Sequence, residues 1–177
     1  MKIIAFCGSA RKGNTEYILN KVLTKADRMG HQTDLILLRE KRIELCDGCF
    51  ECDATNKCKI KDGMQDIYDR MERSDLVIFA SPNYFDSYTG LMKNFIDRLR
   101  PYCTSGKMNG KKMVVISVGG GGPISTKRLN SNFDVVADKL GMILVGDLDF
   151  IAKGPNDVEN DPENISKIEN FIQGVLS

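Results

Sequence analysis

Two stretches of the sequence carry residue types that could do chemistry. The first is rich in thiols: Cys46, Cys49, Cys52 and Cys58 fall within thirteen positions, spaced C-x2-C-x2-C-x5-C. Thiolates are soft ligands for zinc and for iron–sulfur clusters. Three cysteines at two-residue gaps are the spacing with which ferredoxins wrap several irons of one cubane. Four readings stand open on the residues alone: a [4Fe–4S] cluster, a structural zinc, disulfides, or thiols that carry no metal. Zinc more often takes two well-separated C-x-x-C pairs, and disulfides need an oxidising compartment. From Arg39 to Asp62 the chain has six basic and six acidic residues, so charge marks no docking patch there.

The second stretch is Gly8-Ser9-Ala10-Arg11-Lys12-Gly13-Asn14-Thr15. It follows an apolar run, Ile3 to Cys7, and precedes apolar residues at helical spacing. A strand that turns into a helix N-terminus presents free backbone N–H groups and the positive end of the helix dipole to the same point. Gly8 and Gly13 allow close backbone approach. Ser9, Asn14 and Thr15 add hydroxyl and amide donors, and Arg11 adds a permanent charge with a fork of donors. This is the chemistry of a phosphate site. The stretch lacks the Gly-Lys-Ser/Thr ending of a nucleotide P-loop and the spaced glycines of a dinucleotide site. The competing reading is an ordinary polar turn with Asn14 as helix N-cap.

The elements that must position these residues alternate along the chain. Strands are expected over Lys2–Cys7, Thr33–Leu38, Asp75–Ala80 and Met113–Val118, with a fifth beginning at Met142–Val145. Helices are expected over Thr15–Met29, Met64–Arg73, Gly90–Tyr102, from near Ser125 to Leu140, and over Glu163–Leu176. The apolar run Leu76–Phe79 suits a strand buried on both faces, as in a parallel sheet. Ser81 to Phe85 is expected to be a loop because of Pro82. The stretch of about 39–63, which holds the four thiols, shows no period. Five strands alternating with helices predict an α/β, doubly wound parallel sheet in one domain over 1–177. In such a sheet the ligand crevice lies beyond the carboxyl ends of the strands, where strand order reverses. The Gly- or Pro-rich stretches after strands one, three and four, including Gly119, Gly120 and Gly121, would meet there.

Read in full, GSARKGNT resembles the phosphate loop of the flavodoxin-like NAD(P)H-dependent FMN reductase family, Gly-Ser-x-Arg-x-x-Gly-Asn-Thr. The stretch SPNYFDSYTGLMKNFIDR at 81–98 is similar to that family's Ser-Pro-x-Tyr followed by a helix with Leu-x-Lys and Asp-Arg. The resemblance covers nearly the whole chain and implies a flavodoxin-like strand order, 2-1-3-4-5. It implies FMN rather than FAD, with the phosphate on Ser9, Arg11, Gly13, Asn14 and Thr15. Backbone groups around Pro82, Asn83 and Tyr84 would meet the ring's polar edge, and Tyr84 or Phe85 would offer an aromatic contact. Close approach of the 119–121 glycines to the flavin is also expected. The thiol spacing and its place after strand two resemble the iron–sulfur flavoprotein branch. That branch implies Cys46, Cys49, Cys52 and Cys58 as ligands of a [4Fe–4S] cluster, and a ferredoxin-like electron donor. Flavin chemistry driven by NAD(P)H without a cluster, and a redox-sensing or zinc-stabilised flavin-binding protein, are the alternatives. A homodimer, or a tetramer built from dimers, is a further implication of the resemblance.

Composition sets the outer bounds. The 177 residues carry 25 Lys and Arg against 24 Asp and Glu, a formal charge of +1, with 42% hydrophobic and 28% charged residues. This balance points to an ordinary soluble protein without a nucleic-acid or anionic-membrane partner. No signal peptide or spanning apolar stretch is visible, so a cytoplasmic location is expected. The remaining cysteines, Cys7 and Cys103, are expected to behave as small buried hydrophobes. Lys93 and Asp97 read as an exposed helix pair, and no side chain stands out as a general acid or base.

Overall fold

The computed structural model describes residues 1–176. Five strands, β1 (Lys2–Cys7), β2 (Gln32–Leu37), β3 (Leu76–Pro82), β4 (Lys112–Gly119) and β5 (Ile143–Ile151), form one parallel sheet of order β2-β1-β3-β4-β5. Successive residues of a strand face opposite sides, so each strand feeds two cores. Ile4, Phe6, Val77, Phe79, Met113 and Val115 face one layer. It contains α3 (Met64–Glu72), α4 (Gly90–Asp97), α5 (Pro101–Ser105) and α6 (Pro123–Leu140). Ile3, Ala5, Ile78, Ala80, Val114 and Ile116 face the other, formed by α1 (Asn14–Arg28) and α7 (Pro162–Leu176). Because β1 and β3 are covered on both sides, their sequences are continuous apolar runs rather than alternations. No helix among the described residues is long and apolar enough to cross a membrane.

The structure departs from the expected elements in four places. Ser81 and Pro82 belong to β3 and not to a loop: they pair with Ser117 and Val118 of β4. Pro82 is tolerated there because β1 pairs with β3 only as far as Ala80. Its missing N–H therefore faces the side where β1 has ended, and Asn83 N donates to Val118 O at 2.7 Å on the other. The expected helix over Gly90–Tyr102 is two helices, since Pro101 starts α5 at its first position and cannot continue α4. The thiol stretch contains a short helix, α2 (Glu51–Thr55), bounded by Phe50 and Asn56 in the left-handed region. Finally, Cys103 is exposed, because α5 turns Pro101 and Tyr102 inward and leaves Cys103 lining an open cleft; Cys7 is buried as expected.

Candidate functional site

The turn after β1 is tied down on both sides of its ends. Gly8 N donates to Ala80 O at 2.8 Å, and Thr89 Oγ1 donates to Gly8 O at 2.6 Å. A Cβ on Gly8 would stand 3.0 Å from Met92 Cβ, so α4 can approach only a glycine here. Ser9, 5% exposed, turns its hydroxyl to Arg11 O at 2.7 Å and closes the turn. Gly13 is the N-cap of α1, and the first helical bond runs from Tyr17 N to Gly13 O. The N–H groups of Asn14, Thr15 and Glu16 thus have no carbonyl within the helix and lie at the positive end of its dipole. Arg11 and Lys12 are exposed beside them. Glu16 would oppose an anion, but Arg39 Nη1 sits 2.8 Å from its carboxylate and compensates it. The residues present fit a phosphate.

Gly13 rather than Asn14 is the N-cap, and the Asn14 side chain is bonded to the protein. Its Nδ2 donates to Gly154 O at 2.7 Å, and its Oδ1 accepts from Val158 N at 3.2 Å. The side chain therefore staples the cradle to the loop after β5. Asp157 braces that loop in turn by accepting from Lys153 N and Gly154 N.

The second wall is the segment after β3. Tyr84 and Ser87 exchange backbone hydrogen bonds of 2.9 and 3.1 Å around Phe85 and Asp86. Both central residues have positive φ, 52° and 57°, the geometry of a type I′ hairpin turn usually given to Asn or Gly. The turn holds Phe85 fully exposed and Tyr84 half exposed. It is locked from α6: Ser125 Oγ and Arg128 Nη1 donate to the Asp86 carboxylate, and Asn132 Nδ2 donates to Asp86 O at 3.1 Å. These bonds, Ser125 first and then Arg128, hold the Asp86 carboxyl below its ordinary range. Asn83 Nδ2 donates to Ser125 O at 2.7 Å and Oγ at 2.9 Å. This bonding explains the glycine run. A Cβ on Gly119 would lie 2.8 Å from Asn83 Cβ, and one on Gly121 2.8 Å from Ser125 Oγ. Gly120 packs against Lys153 and Ala152. The three loops expected to converge are therefore joined by direct contacts.

The thiol segment lies against the far end of α4. Asn94 Nδ2 donates to Ile43 O at 2.8 Å, and Arg98, the C-cap of α4, is 1% exposed. Its guanidinium donates to Asp62 Oδ2 at 2.6 Å, Glu44 O at 2.7 Å and Cys58 Sγ at 3.4 Å. Burial alone would push the Asp62 carboxyl up; bonds from Arg98 and from the Met64 and Glu44 amides hold it below the usual carboxylate range instead. Arg100 pairs with Asp53 at 2.7 Å and covers the Phe50 ring, fixing α2 on α5. Cys46 and Cys49 are exposed, Cys52 is buried at 9% exposure and Cys58 is half-buried. A cleft of about 650 Å³ runs from Cys46 and Phe50 to Lys139 and Val135 of α6. Among the described residues no group of three or more Cys, His, Asp or Glu side chains is gathered around a common centre for a metal ion. By donor chemistry, four thiols with one already bonded by a buried cation fit a thiolate-ligated cluster. Burial raises the Cys7 thiol to about 11, which suits its packing role. Lys93 and Asp97 form the expected exposed pair.

Thr89, Asp86, Ser125, Asp62 and Arg98 hold the loops together, a role that the sequence pattern did not assign them, although Arg98 falls in the Asp-Arg of the family-like stretch. Thr89 had a signal, a hydroxyl residue directly before a helical apolar run. It caps α4 by accepting from Met92 N. The others act across 36 to 54 residues of chain, and no local spacing announces them.

The sheet order, with the anion cradle at its switch point, is that of a flavodoxin-like fold. The model of the NADPH-dependent FMN reductase family matches residues 1–156, and the chain belongs to that family. It is 31% identical to an iron-sulfur flavoprotein of Methanocaldococcus jannaschii over 97% of this chain and 93% of that protein. It is 32% identical to an iron-sulfur flavoprotein of Archaeoglobus fulgidus over 62% of each. A solved flavone reductase superposes on 99% of this chain with a TM-score of 0.77, at 19% identity; the match spans 62% of that protein.

Proposed function

We propose that this chain binds FMN with its phosphate in the 8–16 cradle, holds a [4Fe–4S] cluster on Cys46, Cys49, Cys52 and Cys58, and carries electrons between a ferredoxin-like donor and an acceptor. The observation that carries the reading is α4. Its N-cap, Thr89, donates to Gly8 O in the cradle, and its C-cap, Arg98, is bonded to Cys58. One helix of eight residues, about 12 Å long, links the two cofactor positions. The names of the M. jannaschii and A. fulgidus relatives support the same assignment.

Bound FMN would supply hydride and single-electron chemistry at its ring, and the cluster single-electron chemistry. The chain's own residues bind and orient. First-turn amides and Arg11 take the phosphate; the backbone at Pro82 to Tyr84 meets the ring edge; Phe85, held out by the Asp86 bonds, offers an aromatic face. No side chain of the cradle is needed to move a proton.

A second reading is an NAD(P)H-dependent FMN or quinone reductase using flavin alone. The dispersed thiols of the described residues favour it. Anaerobic purification followed by assay of flavin, iron and acid-labile sulfide separates the two. Equimolar FMN with about four irons and four sulfides per chain is the expected result. FMN without iron, together with NAD(P)H turnover, would establish the second reading instead.

A further inference from the structure

Arg98 is a buried arginine whose donors are almost all committed. Its Nη1 donates to Glu44 O and Asp62 Oδ2, and its Nη2 to Asp62 Oδ1, Ile60 O and Cys58 Sγ at distances of 3.2 to 3.4 Å. Its Nε is buried without a partner. Its main chain is pinned as well, since Arg98 N donates to Phe95 O at 3.1 Å and Arg98 O accepts from the Tyr68 hydroxyl. Asp62 is as buried as its partner, with side-chain exposures of 3% and 0%. A buried ion pair is weak evidence for stability, because desolvation offsets its attraction. A guanidinium placed so that one fork holds a carboxylate while the same nitrogen reaches a sulfur has a more specific use. Lysine, a single ammonium without the planar fork, cannot reproduce the two-nitrogen grip on Glu44 O, both Asp62 oxygens and Cys58 Sγ together.

We propose that Arg98, held by Asp62, is the positioning residue that orients Cys58 as a cluster ligand and, through its N–H···S bond, sets the cluster's reduction potential. The inference rests on the cluster reading above. A hydrogen bond to a ligand sulfur draws electron density from it and favours the reduced, more negative cluster, so the potential is raised. Position sharpens the inference, because Arg98 caps the helix that starts at the cradle. A group that tunes the cluster is thus rigidly connected to the flavin site.

The test uses the full-length, anaerobically purified protein. Arg98→Lys keeps the charge and removes the fork. Because it loosens the hold on Cys58, it should lower the iron and sulfide content, shift the midpoint potential of the clusters that remain to a more negative value, and leave the flavin potential unchanged. In the parent labelled with ¹⁵N-arginine, pulsed EPR of the reduced cluster should show coupling to an arginine nitrogen; this needs no variant and decides the matter if Arg98→Lys does not fold. A cluster-bearing parent without that coupling, or Arg98→Lys with an unchanged cluster potential, would overturn the role of Arg98 and leave the cluster reading standing. A parent that holds no iron even after anaerobic reconstitution would remove the cluster reading and this inference together.

Discussion

At the scale of single residues, the cradle divides its labour between side chains that bind a ligand and side chains that hold the loop. Arg11 is exposed beside the first-turn amides, whereas Ser9 and Asn14 spend their polar atoms on the protein. Arg11→Ala should therefore weaken FMN binding by about 1.5–3 kcal/mol, roughly ten- to a hundred-fold in Kd, without changing stability. Fluorescence titration of the apoprotein with FMN measures it, and an unchanged Kd would remove Arg11 from the site. Asp62 makes the opposite kind of prediction. Its folded carboxyl lies below its unfolded value, so its contribution is present above the ordinary carboxylate range and lost as pH falls through the depressed folded value. Asp62→Asn should cost about 3–5 kcal/mol at neutral pH, because it leaves Arg98 buried without its anion. Denaturant melts at decreasing pH should show the gap to the parent closing in acid. A gap that stays constant down to the acid limit would contradict the pairing.

At the scale of elements, the hairpin after β3 is the strained part of the structure. A phenylalanine at φ 52° followed by an aspartate at φ 57° costs about 1–2 kcal/mol per residue relative to ordinary backbone. The chain tolerates this because α6 grips Asp86 through Ser125, Arg128 and Asn132. Phe85→Asn, with a residue at ease in the left-handed region, should raise stability by about 1 kcal/mol and weaken FMN binding in the same protein. Thermal melting and flavin titration together check this. Stability gained with no loss of flavin affinity would mean that the exposed ring serves something other than FMN.

At the scale of the whole molecule, the proposed FMN and cluster positions lie at opposite ends of α4 and share no side chain. They should come apart by mutation. Cys49→Ala, at an exposed thiol, should abolish the iron and its broad visible absorbance while leaving FMN bound with the parent's Kd. Loss of both cofactors together would show one interdependent site. Phe85, Ile124 and Val135 are exposed apolar side chains, and Val135 also lines the open cleft beside the thiol segment. Burial between copies of the chain is the expected use of such side chains, and light scattering at micromolar concentration should give a dimer or tetramer mass. A mass near the chain's 19.8 kDa would refute this.

Much of this was legible in the residues themselves. The parallel sheet follows from runs such as Leu76–Phe79, whose burial on both faces needs no distant partner to specify. The anion cradle follows from a glycine turn that opens a helix, where free amides and dipole act within one turn of chain. The thiol string declares soft donor atoms by its spacing, while the residues alone leave cluster, zinc, disulfide and metal-free readings open. What only the tertiary structure decided concerns partners far apart in sequence. Asn14 reaches Gly154, Gly119 is a glycine because Asn83 stands against it, and Arg98 joins Asp62 to Cys58. Even Pro82 belongs to a strand because β1 ends two residues earlier in the register. Local periodicity and capping are set by neighbours within a few residues. The hydrogen-bonding of a buried polar group is settled only when packing brings its acceptor to it.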